Sequence, residues 1–191
     1  MHAHPKNNLT RLPKKTHPLK TQLQVTILPT VGKQMKNWRA IVSLRSISYN
    51  DLELDVIIDK PVGNSFDVLV VYHGTVWSDS QIHSAATMTL EKFDTVLQRD
   101  DVLIVSVGYP EENLIMGDNI IYAEAGLLWV QQRASEELDI EVKKVFLGGH
   151  SQGGYLVTHL NTMHTTDGVI ANCPGPLDMR YRCQLDEDGT M

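Results

Sequence analysis

Four stretches of this chain are apolar almost without interruption: DVLVVYHG (67–74), DVLIVSVGYP (101–110), KVFLGG (144–149) and GVIANC (168–173). Each carries β-branched residues, and none alternates apolar with polar. Strands of that kind are buried on both faces, the mark of a parallel sheet. Helical spacings lie between them. Ile82, Ala86, Leu90, Phe93 and Leu97 recur at intervals of three and four, as do Ile120, Ala123, Leu127, Val130 and Ala134, and later Leu156, Leu160 and Met163. Asp118 or Asn119 is placed to cap the second helix. Strands alternating with helices predict an α/β fold with right-handed crossovers. Ahead of this region, AIVSLRSIS (40–48) and LELDVIID (52–59) read as a hairpin turning at Tyr49-Asn50-Asp51. In its second arm Leu52, Leu54, Val56 and Ile58 share one face, so the other face is expected to meet water. Leu23, Val25 and Ile27 alternate as a further strand would.

At 191 residues the chain has room for one domain with a substantial core. Charge is unevenly spread. Residues 1–50 hold nine Lys/Arg and no Asp or Glu, while residues 51–191 hold eight Lys/Arg against 23 Asp/Glu, a net of −15. The expected organisation is a disordered basic tail over 1–20 and a partial α/β domain over 21–191. No aromatic residue interleaves the bases before Trp38, and the total charge is −6, so no nucleic-acid partner is expected. No apolar run reaches the roughly 18 residues of a membrane span, and the first 20 residues lack the apolar core of a secretory signal. These features point to a cytoplasmic protein without a membrane partner. His2, His4 and His17 match no metal-ligand spacing, and no metal or other cofactor is expected. Cys173 and Cys183 make no disulfide framework and are expected to be free, buried thiols.

The chemistry concentrates at Gly148-Gly149-His150-Ser151-Gln152-Gly153-Gly154. This is G-x-S-x-G between a buried strand and an amphipathic helix, the context of a nucleophile elbow. So tight a turn forces Ser151 into strained backbone geometry at the end of the strand. Gly149 and Gly153 approach each other across it, where side chains would clash. The next helix aims its N-terminus at the site, and the N–H of Gln152 becomes a natural oxyanion donor. The earlier strand ends in His73-Gly74-Thr75. A loop there supplies the second donor in such sites, expected from Gly74-Thr75 through the N–H of Thr75, with Val76 as the other candidate.

From about Ser46 to Cys183 the sequence resembles the first part of an α/β-hydrolase catalytic domain. SISYNDLELDVIIDKP followed by DVLVVYHG resembles the prolyl oligopeptidase-like and dienelactone hydrolase-like groups, and GHSQGG resembles the elbow of many esterases, lipases and thioesterases. The resemblance implies a serine hydrolase acting through an acyl-enzyme on Ser151, with a small-molecule or peptide substrate, a His general base and an orienting acid.

The order expected after the nucleophile is acid, then His. The histidines after Ser151 are His159 and His164, both on the predicted helix, roughly 10 and 18 Å along its axis. A base must lie about 2.6–3.2 Å from the serine oxygen, so neither reaches it. His150 is expected to turn away and pack beside the sheet, and His73 to be structural. Asp178, after GVIANC and Pro174-Gly175-Pro176, is a candidate acid, though most such enzymes place theirs one strand later. The resemblance implies eight strands; this chain supplies six and then 18 residues after Cys173. The C-terminal strands are therefore expected to be missing. A truncated product, a chain completed by a partner, and a degenerate homologue serving as a non-catalytic binding or oligomerising module all fit. The last strand would be a bare edge open to self-association.

Overall fold

The computed structural model describes residues 41–112, 114, 118–174, 184 and 187. The predicted tail, the alternating residues 23–27, Asp178 and Cys183 lie outside them.

The hairpin is β1 (Ile41–Tyr49) and β2 (Leu52–Lys60), paired so that Tyr49 faces Leu52. Its two loop residues, Asn50 and Asp51, both have positive φ, 49° and 66°. That is the twist a two-residue hairpin loop requires. Then come β3 (Ser65–Tyr72), α1 (Ile82–Leu97), β4 (Val102–Gly108), α2 (Asp118–Gln132), α3 (Ala134–Glu137), β5 (Glu141–His150), α4 (Gln152–Met163) and β6 (Gly168–Asn172). The sheet order is β1-β2-β4-β3-β5-β6. β1–β2 and β2–β4 are antiparallel; β4–β3, β3–β5 and β5–β6 are parallel.

Period-two alternation sends side chains to both faces of the sheet. From β3, Phe66, Val68, Val70 and Tyr72 enter the larger core with Leu103, Val105 and Val107 of β4, beneath α2 and α4. Leu69, Val71 and Ile104 face the other way, against Ala86 and Leu90 of α1. The predicted α1 stripe is thus the stripe that packs. Ser106, buried on that face, donates its hydroxyl to the carbonyl of Ala86 at 2.8 Å. On the opposite face a Cβ at Gly126 of α2 would lie 2.8 Å from a methyl of Val107, so this glycine lets helix and sheet approach.

Three expectations are corrected. The second face of β2 is not open along its length, because Ile57 is buried beneath α1. The helical pattern ending at Ala134 is interrupted at Arg133, after which α3 forms. β6 is not buried on both faces. It is the outer strand among the described residues, and Val169 and Ile170 are 39% and 48% exposed.

The topology fixes where chemistry can occur. β3 and β5 are neighbours, yet the helices that follow them, α1 and α4, pack on opposite faces. Diverging connections open a crevice at the C-terminal ends of the two strands, the switch point of an open α/β sheet.

Candidate active site

Ser151 sits in that crevice, between the last residue of β5 and the first of α4. Its backbone has φ 55° and ψ −118°. For a residue with a Cβ, such a conformation costs about 1–3 kcal/mol and persists only where its surroundings impose it. Here they do. The Ser151 N–H donates to the carbonyl of Asn172 in β6 at 3.0 Å, and the Ser151 carbonyl accepts from the Tyr155 N–H at 3.1 Å. A Cβ at Gly149 would run into the carbonyl of Gly153 and lie 2.7 Å from the N of Gly154; one at Gly153 would run into the carbonyl of Tyr72 and lie 2.6 Å from that of His73. Both positions therefore require glycine. The Ser151 side chain makes no capping bond to α4. The first N–H groups of α4, beginning with Gln152, have no intrahelical acceptor.

The loop after β3 lies against this corner. A Cβ at Gly74 would be 3.4 Å from the Cβ of Ser151 and from the carbonyl of His150. His73 anchors the loop. Its ring is fully buried, stacked on Tyr109 with centroids 4.0 Å apart and planes 1° from parallel. Its Nδ1 lies 2.7 Å from the Gly74 carbonyl, which can only accept, so Nδ1 carries the proton. The Tyr109 hydroxyl donates to the carbonyl of His73. Burial pushes the His73 pKa down, so the imidazole is held neutral.

Beyond Thr75 the loop is tied to the segment following β4. The Val76 N–H donates to Oε2 of Glu111 at 3.0 Å. Asp79 Oδ1 accepts from the N–H groups of Glu111 and Glu112, both at 3.0 Å. Glu112 Oε2 accepts in return from the Ser78 hydroxyl at 3.3 Å and the Asp79 N–H at 3.2 Å. The N–H of Val76 is thus already used, which leaves Thr75 as the free choice in this loop. Burial, with the Asp79 charge beside it, raises the Glu111 pKa; the Val76 N–H and the Gln152 side chain oppose that rise without cancelling it. Sequence reasoning missed Glu111, Glu112 and Asp79. The signal was an acidic pair directly after Pro110, at the sheet edge that also carries the elbow.

The remaining described histidines are elsewhere; His83 of α1 meets Asp55 Oδ2 of β2 at 2.7 Å. His164 closes α4, and its Nε2 meets Glu124 Oε1 of α2 at 2.6 Å. His159 stacks beside Tyr155 with centroids 6.1 Å apart. His150 is exposed rather than packed, because its side chain leaves the strand end on the solvent side of the turn. Cys173 is free and exposed, not buried, since β6 runs out to the surface there. Among the described residues no group of three or more His, Cys, Asp or Glu is arranged to hold a metal ion. No helix among them is long and apolar enough to cross a membrane.

Solved structures share this fold. A thermostable esterase from Pseudomonas putida superposes with a TM-score of 0.56 at 20% identity, over 74% of this chain and 46% of that one. An esterase from Pyrobaculum calidifontis superposes at 0.55 and 17% identity, over 70% and 44%. A variant of the esterase rPPE gives 0.56 and 19%, over 75% and 46%. The chain has the α/β-hydrolase fold. It spans less than half the length of these hydrolase-fold neighbours. No protein-family model matches its sequence, and no curated protein does.

Proposed function

We propose that this chain carries the nucleophile and oxyanion hole of a serine hydrolase acting on an ester, thioester or amide. The observation behind the reading is the strained Ser151 at a strand-to-helix corner, with Gly74 packed against it. The Ser151 oxygen attacks the acyl carbon and its proton passes to a base. The N–H groups of Gln152 and Thr75 hold the developing oxyanion, and the leaving group departs to give the acyl-enzyme. Among the described residues no histidine fills the role of that base. His73 is locked against Tyr109, and His159 and His164 lie along α4. An oxyanion hole without its full triad still gives about 10³–10⁴-fold catalysis over water in characterised serine enzymes. The test is hydrolysis of a fluorogenic ester by wild type and Ser151→Ala. We expect the wild type to become acylated at Ser151 during turnover, seen by mass spectrometry, and Ser151→Ala not to; a wild type that never acylates refutes the reading.

One observation favours a second reading, that of a non-catalytic module that self-associates. It is the apolar edge of β6, where Val169 and Ile170 are exposed.

A further inference from the structure

Glu111 reaches the loop that carries one half of the proposed oxyanion hole. Its Oε2 accepts the Val76 N–H, one residue beyond Thr75 in the loop after β3. The Gln152 side chain, at the start of α4, is among the groups that act on its titration. Oε1 of Glu111 and Oε1 of Gln152 are both buried without a hydrogen-bond partner among the described residues. Neither of these two oxygens is open to solvent. We infer that Glu111 is a positioning residue of the oxyanion hole, its carboxylate fixing the loop that carries Thr75 to the segment after β4. The inference rests on the Ser151 reading above.

The physical reason is geometric. An oxyanion hole works only if its donors stand about 2.7–3.1 Å from where the charge develops. Gln152 is fixed by the elbow, whereas Thr75 lies in an exposed loop. Glycine at 74 gives that loop no side chain with which to pack against Ser151. The far end of the loop has its own ties, through Asp79 and Glu112. The near end has the Val76–Glu111 bond. Removing the Glu111 carboxylate frees the near end while the far end stays clamped, so the effect is local.

The experiment compares wild type, Glu111→Gln and Glu111→Ala by two readouts. The first is the rate of Ser151 modification by a fluorophosphonate, scored against Ser151→Ala. The second is amide hydrogen exchange along the chain. Glu111→Ala should label about 10²-fold more slowly, the effect of a misplaced donor. Its Val76 amide should exchange at least about tenfold faster while those of β3 do not change. Glu111→Gln keeps an acceptor oxygen and should stay within about threefold of wild type in both readouts. A Glu111→Ala protein with wild-type exchange at the Val76 amide overturns the inference, whatever the labelling. So does a Gln variant as impaired as the Ala variant. If wild-type Ser151 itself labels no faster than the background of Ser151→Ala, the nucleophile reading fails. Exchange at the Val76 amide then still decides whether Glu111 holds the loop.

Discussion

At the scale of single residues, the site depends on places where a side chain has no room. Gly149 and Gly153 meet backbone atoms, which cannot yield as a flexible side chain can. Either glycine changed to Ala should destabilise the fold by about 3 kcal/mol or more, the upper end of overpacking costs, read as a fall in the urea midpoint. Gly74→Ala is the contrast. Its added methyl meets nothing nearer than 3.4 Å, so stability should hold within about 0.5 kcal/mol. Glu111 makes a prediction of a different sign. Its pKa is raised in the folded protein, chiefly by burial. A carboxyl of this kind favours folding while protonated and loses that contribution as pH rises through its folded-state value. Glu111→Gln stays uncharged throughout. It should therefore melt at or above the wild-type temperature at neutral pH. The gap should close as pH falls toward the ordinary glutamate range of about 4. A variant melting well below wild type at neutral pH contradicts this.

At the scale of elements, the hairpin shows how local chemistry and tertiary packing divide the work. Its position was legible because Asn50-Asp51 separates two apolar arms. The positive φ of both residues follows from the two-residue loop. Asp51 carries a Cβ at φ 66°, so Asp51→Gly should stabilise the protein by about 1 kcal/mol, the penalty of a left-handed residue. Thermal melting checks it. The helices α1, α2 and α4 were legible for the same kind of reason, since their periodic apolar residues pack on the sheet, except Met163 at the end of α4, which is 47% exposed. The buried Ile57 of β2 was not legible. Its neighbours alternate, and only the arrival of α1 over that face, 25 residues later in sequence, covers it. The acidic ties between the loops after β3 and β4 were hidden likewise, because they join Val76 to Glu111 and Asp79 to Glu112 across more than 30 residues. The elbow could be read because its constraint is local: five consecutive residues and the two elements they join.

At the scale of the molecule, the sheet is covered unevenly. β3 and β4 are sealed on both faces, while β6, whose composition matches theirs, lies outermost among the described residues with Val169 and Ile170 exposed. A continuous apolar run thus predicted a strand correctly but not its burial, since burial belongs to neighbours and not to the strand itself. An outer strand with unpaired N–H and C=O groups and apolar side chains is a template for pairing. Two copies related by a twofold axis would present the same edge to each other, and their strands would pair antiparallel. Fully burying an Ile or Val side chain contributes about 1.5–3 kcal/mol, and every 1.4 kcal/mol is about tenfold in an equilibrium constant. Sedimentation velocity over a concentration series should show the wild type passing from monomer to dimer. Ile170→Lys, which places a charge on the edge without touching Ser151, should weaken that association by at least about tenfold. The same variant should keep its labelling at Ser151. A wild type that stays monomeric across the series removes the self-association reading and leaves the nucleophile reading standing, because the two rest on different groups of β6: one on the exposed side chains of Val169 and Ile170, the other on the backbone bond from Ser151 to Asn172.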